Sequence, residues 1–276
     1  MSLPFPRQRS LRIILIALFS LAARRAGAQA PQPIAGFQDG FFVQSSDGDN
    51  RLVFGLVAQV DSRFELGDTI PVGSTFSIRK ARPTLSGRVG RYFDFKVMPD
   101  FGNGQAVLSD AYVDIRFWRA LRIRTGKDKT PIGHELLQGD GNLMFQERTL
   151  ASSLVPNRDI GIQVQGEAWG PRLSYAAGVF NGIPDGTSST IDTDANGAKD
   201  LAGRVTVQPF RPAAGPAGPL GGLGLFLGGS HGTQAGALPS FRTTYGQVYF
   251  SYAAGVAAAG TRARIAPAAF YYRGPF

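Results

Sequence analysis

The chain has 276 residues, 43% of them hydrophobic, with 36 glycines, no cysteine and a formal charge of +9. The length suits one sizeable domain, and the lack of cysteine excludes a disulfide framework and thiol chemistry. A mean hydropathy of −0.05 is too low for a bundle of membrane helices, and no run reaches the roughly 18 to 20 apolar residues that a spanning helix needs.

The N-terminus reads as an export signal over residues 1–28. Arg7, Arg9 and Arg12 precede the apolar run Ile13 to Ala23, and the small residues Ala26 and Ala28 frame a cleavage site before Gln29. Cleavage there removes Arg7, Arg9, Arg12, Arg24 and Arg25 and no acid, which takes the charge from +9 to +4. Residues 29–50 then read as a lead-in rich in Gly, Gln and Asp.

From Leu52 the chain changes character. Leu52, Phe54, Leu56, Ala58, Val60, Ser62 and Phe64 alternate with positions that carry both charges of the run, Asp61 and Arg63. A period of two with one oily and one polar face predicts a strand between two different solvents. The residues Gly67 to Gly73 turn the chain. In the next strand Lys80, Arg82, Thr84, Ser86 and Arg88 share one parity against Ala81, Pro83, Leu85, Gly87 and Val89. If the apolar row meets lipid, the cationic row lines a lumen.

Shorter alternating segments follow at Phe93 to Met98, at Asp110 to Phe117 and at Leu121 to Arg124. From about Lys129 to Arg158 the pattern breaks, with Pro131, Gly133, Gly139 and Gly141 inside the break. So long a loop is either extracellular or folded into the lumen, and in both places it can control passage. Alternation resumes at Ile160 to Glu167, at Leu173 to Val179 and at Arg204 to Gln208, then at Leu223 to Leu227, Tyr245 to Tyr252 and Arg262 to Tyr272. The expected fold is all-β, a transmembrane antiparallel β-barrel with about ten or eleven strands, occupying residues 51–276.

Other motifs are weaker. Asp192, Asp194, Asn196 and Gly197 copy the start of a calcium loop, but Gly203 stands where a bidentate acid is required, so a solvated loop is the simpler reading. His134 and His231 are the only histidines and lack a Ser or acid constellation, which points away from an enzyme. Tyr271, Tyr272 and Phe276 fit an aromatic girdle or a strand end. No catalytic residue, cofactor, metal or nucleic-acid partner is expected.

Five blocks carry a family resemblance: FSIRKARPTLSGRVGRYFDFKVMPDFG from Phe76, SDAYVDIRF from Ser109, GKDKTPIGHE from Gly126, FQERTLASSLVPNRDIGIQVQGE from Phe145 and FNGIPDG from Phe180. In this order they resemble the phosphate-selective porins O and P. The resemblance implies a sixteen-stranded barrel in the outer membrane of a Gram-negative bacterium, a homotrimer in contact with outer-membrane lipid, and a long loop, here about 129–158, folded into the lumen. It also implies several strands beyond the C-terminal RGPF, so that the chain holds part of the expected barrel. Arg79, Lys80 and Arg82 fall on the family's basic cluster, Lys129 on the lysine at the loop entrance, and Arg148 and Arg158 on the basic positions of the ERTL and NRD motifs. These six are the expected anion-binding residues, for inorganic phosphate or polyphosphate.

Between Arg79 and Arg148 thirteen basic side chains face eight acidic ones. Arginine offers phosphate a planar fork of donors and lysine a movable point charge, and rings of such charges select anions. The competing expectation is that Asp94, Asp100, Asp110 and Asp114 tie the cations up in salt bridges, Asp110 and Asp114 with Arg116 or Lys96. Three functions therefore stand open: a passive anion channel, a general diffusion channel of the same fold, or a non-transporting protein, either a structural or adhesive barrel or an inert truncated product.

Overall fold

The computed structural model describes residues 32–38, 40–64, 74–188, 197–243 and 247–273. The export signal, the turn at Gly67 to Gly73, the acids Asp192 and Asp194 with Asn196, and Phe276 lie outside the described residues. Among the described residues no helix is long and apolar enough to cross a membrane.

The strands are β1 (Ile34–Phe37), β2 (Phe41–Gln44), β3 (Arg51–Arg63), β4 (Thr75–Val89), β5 (Phe93–Asp100), β6 (Val107–Trp118) and β7 (Leu121–Lys129), then β8 (Arg158–Ala168), β9 (Leu173–Phe180), β10 (Asp200–Val207), β11 (Leu223–Ala237), β12 (Phe241–Arg242), β13 (Val248–Phe250) and β14 (Ala257–Tyr271). Twelve of them form one antiparallel meander in chain order, from β1 to β11 and then β14, with β12 and β13 as a separate hairpin. Two details depart from expectation. The lead-in carries two strands, β1 and β2, too short to read from alternation. The stretch expected as a strand near Tyr245 to Tyr252 belongs to a side hairpin, because β11 and β14 pair directly over their whole length, from Leu223 with Tyr271 to Ala237 with Ala257.

The alternation in β3 is realised in full. Leu56 and Val60 are 69% and 70% exposed while Asp61 is 3% exposed. The same outer face carries Val113, Ile162, Val205, Leu227 and Ile265, the last 80% exposed. An apolar surface this continuous is unstable in water and suits hydrocarbon.

The inner face is concave, which the long loop demonstrates. Gln138 Nε2 donates to Tyr272 Oη (2.6 Å), just past β14, while Asp140, two residues on, accepts from Lys80 Nζ (3.2 Å) on β4. In a flat sheet β4 and β14, eight strands apart, would be separated by about 38 Å. The sheet therefore curls around the loop, as a partial barrel of the porin type. The connections at residues 90–92, 119–120, 169–172 and 208–222 share one rim, and the loop 130–157 and the segment 181–188 share the other. Short turns mark the periplasmic rim of such barrels.

Candidate anion-conducting site

β4 turns its cations inward through a bulge. Gln59 pairs with Lys80 and Val60 with Ile78, so Arg79 is the extra residue. Before the bulge Phe76 and Ile78 point outward; after it Ala81, Pro83 and Leu85 do, and Arg79 and Lys80 are both drawn toward the lumen. A bulge re-aims side chains in this way at the cost of one unpaired residue. The next connection clamps it: Asp100 Oδ1 accepts from the backbone N–H of Ala81 (3.2 Å) and of Gly102 (2.9 Å). A Cβ on Gly102 would lie 2.2 Å from the Arg79 carbonyl oxygen, so only glycine fits there.

The loop between β7 and β8 meets these cations with its own carboxylates. Asp140 takes Lys80, Arg82 Nη1 (2.5 Å) and Arg148 Nη1 (2.8 Å) at once. Burial acts to raise the Asp140 carboxyl, but the charges of Arg82 and Lys80 and the bond from Arg148 outweigh it and hold the group well below the usual carboxylate range. Arg82 Nε also reaches Asp100 (2.6 Å), and Arg79 Nη2 donates to Glu147 Oε2 (3.1 Å). Lys129 Nζ and Arg148 Nη2 both donate to the Gln138 carbonyl, at 2.7 and 2.8 Å.

The ERTL motif thus has a physical content. Glu147 pairs with Arg79 and Arg148 with Asp140, while Thr149 donates its N–H (3.0 Å) and hydroxyl (2.5 Å) to Glu135, which also accepts from Ser152 Oγ (2.9 Å). Burial works against the Glu135 charge, but these donors hold its carboxyl below the ordinary value.

Five of the six expected residues, Arg79, Lys80, Arg82, Lys129 and Arg148, converge on the segment 138–148. Arg158 sits apart, with its Nε 2.6 Å from Asp110, which also takes Lys96 Nζ (2.7 Å). The expected pairing of the acids is largely realised. Asp94 takes Arg88 (2.9 Å), Asp100 takes Arg82 and Asp110 takes Lys96. Asp114, however, pairs with Arg124 (2.6 Å) and not with Arg116, which lies 3.7 Å from Asp94.

The loop's other flank is apolar. Ile132, Leu136 and Val155 are buried together against Ala266 of β14. The Ile132 carbonyl lies where a Cβ on Gly228 of β11 would stand, 2.1 Å from it. A second segment, 181–188, also folds inward. Gly186 N–H donates to the Val155 carbonyl and Asn157 N–H to that of Thr187 (both 2.9 Å), and Asp185 takes Arg264 Nε (2.5 Å).

Two inward arginines escaped the sequence reading. Arg122 and Arg204 share a cross-strand row, linked through Gln165 and Ala176, and neither has a carboxylate in salt-bridge range among the described residues. Their signal was present, since each is the charged partner of Leu121, Ile123 or Val205 in the alternation. Arg204 borders a cavity of about 570 Å³ between the loop and the wall formed by β9, β10, β11 and β14, toward the short-turn rim.

No curated protein matches the chain. A family model described as phosphate-selective porin O and P matches residues 54–225, which span β4 to β10, the whole long loop and both arginines of the Arg122 to Arg204 row. With more than half its length matched, and with the inward cations and in-folded loop in place, the chain belongs to the phosphate-selective porin O and P family.

Proposed function

We propose that this chain works in the outer membrane as a passive, anion-selective channel for phosphate or polyphosphate, exported through a cleaved signal at residues 1–28. One observation carries the reading: at the loop contact five cations, Arg79, Lys80, Arg82, Lys129 and Arg148, meet four carboxylates among the described residues, Asp61, Asp100, Asp140 and Glu147. The excess is positive even after pairing. Beyond it, toward the periplasmic rim, come Arg122 and Arg204. In a narrow pore with low-dielectric walls such a surplus attracts anions and repels cations.

Pairing also keeps transport fast. A cation already satisfied by a carboxylate offers a passing phosphate a shared bond in place of a deep trap, and several modest sites in series permit release. The six expected anion-binding residues enter this reading as that series, with Arg158 and Lys96 sharing Asp110 at one end. Lipid on the outer face and assembly into a trimer complete it.

A general diffusion channel is the second reading, favoured by the engagement of Asp140 with three cations. Planar-bilayer recording of the refolded chain from Gln29 onward, under a KCl gradient with phosphate then titrated in, separates the two. A reversal potential of anionic sign and block of chloride current by phosphate support selectivity. A reversal potential near zero supports general diffusion, and the absence of channels from folded, inserted protein refutes transport.

A further inference from the structure

The cavity beside Arg204 has a composition that inorganic phosphate does not use. One wall is polar: Arg204, with Ser174 and Thr206 on the same inner surface. Arg204 is under-employed there. Among the described residues its one hydrogen bond is a long one from Nη1 to Thr206 Oγ1 (3.4 Å), and its buried Nε makes none. A guanidinium that is desolvated and lacks a carboxylate is a strong receptor for an anion.

The facing wall is aromatic. His134 of the loop stacks on Phe270 of β14, with ring centres 4.4 Å apart and planes within 8°, and tilts against Phe226 of β11 at 5.2 Å. Tyr272 continues the surface, 5.3 Å from Phe270. The cavity, about 570 Å³, has the size of sites that hold small organic molecules. A phosphate ion would satisfy Arg204 and leave the exposed ring of Tyr272 unused.

We propose that the cavity is a subsite for a flat, ring-bearing organic anion, whose carboxylate or phosphate monoester group bonds to Arg204 and whose ring lies against Tyr272, the open ring of this wall, since Phe226 is buried and Phe270 is held between His134 and Gly224. This rests on the reading that the lumen takes anions, and it adds a class of solute that the cation row alone does not select. Arg204 supplies charge recognition, and the Tyr272 ring supplies discrimination by shape.

The test is equilibrium binding to the folded, detergent-solubilised mature chain, which needs no conduction. Phenyl phosphate should bind about tenfold more tightly than inorganic phosphate, with cyclohexyl phosphate, equal in charge but lacking a flat face, in between. Arg204→Gln should weaken phenyl phosphate about tenfold or more, and Tyr272→Leu should erase the preference over inorganic phosphate. Equal affinity for phenyl and inorganic phosphate, or wild-type affinity for phenyl phosphate in Arg204→Gln, overturns the proposal. Failure of anion selectivity in the bilayer while phenyl phosphate still binds would strike the channel reading and leave the subsite standing.

Discussion

Replacing Gly228 by alanine tests how the long loop is held. The added Cβ would lie 2.1 Å from the Ile132 carbonyl oxygen, 2.9 Å from its carbon and 3.0 Å from its Cα. Strand β11 cannot retreat, because Gly228 is paired with Arg204 on one side and Ala266 on the other. The loop must therefore withdraw by about 1.3 Å to reach ordinary contact near 3.4 Å. That displacement opens the packing of Ile132, Leu136 and Val155, and overpacking of this kind costs about 1–3 kcal/mol. The released population of the loop should rise about 5- to 150-fold. Hydrogen exchange over residues 130–157 reads this directly. Gly55→Ala serves as the control, since its nearest neighbour would be Thr84 Cβ at 3.8 Å. Wild-type protection of the loop in Gly228→Ala would refute seating at this position.

Asp140→Asn leaves Lys80, Arg82 and Arg148 short of one negative charge, so the anion-over-cation permeability ratio should rise severalfold in reversal-potential measurements; an unchanged or lower ratio counts against the proposed selectivity. Deleting Arg79, the extra residue of the bulge, leaves Ile78 outward and Lys80 inward in regular alternation, so Phe76 keeps its face and the heat-modifiable folded band should persist on electrophoresis; loss of the band would count against the assigned register. Leu56→Lys places a charge on the lipid face at about 2–4 kcal/mol and should impair folding into vesicles, while Val57→Lys on the inner face should fold; equal folding of both would refute the assigned orientation. Burial, and then the neighbouring Arg204, lower the pKa of His134 against a weaker opposite effect of Glu135. Protonation is thus harder in the seated loop than in a released one. The seat should be intact above the ordinary imidazole value of about 6.5 and weaken as pH falls below it, read as faster exchange of residues 132–138 after correction for intrinsic rate.

What the sequence made legible follows from periodicity. The run Leu52 to Phe64 and the row Lys80 to Arg88 declare their faces because two solvents act on alternate residues, and the boundaries of the loop show in Pro131, Gly133, Gly139 and Gly141. Arg79 was not readable from parity, because the bulge that redirects it depends on the docking of Gly102 and Asp100 from a later turn. The partners of the cation cluster were half visible. Asp100 and Asp110 lie in alternating strands and could be weighed, whereas Asp140 and Glu147 sit in a loop whose course is set by contacts with Gly228 and Ala266, far along the chain. Arg204 escaped because alternation gives a residue's side but not its neighbours, and that no carboxylate among the described residues reaches it is a fact of three dimensions.

The loop resembles a beam supported at both ends, with an ionic bearing at Asp140 on β4 and an oily one at Ile132 on β11 and β14. Salt weakens the first support, and a penetrating detergent weakens the second. Because either suffices to keep the span in the bore, full release requires both to fail together, and its probability is the product of two small ones. On the proposed function, single-channel current should therefore be quiet, with rare and deep excursions in place of continuous flicker.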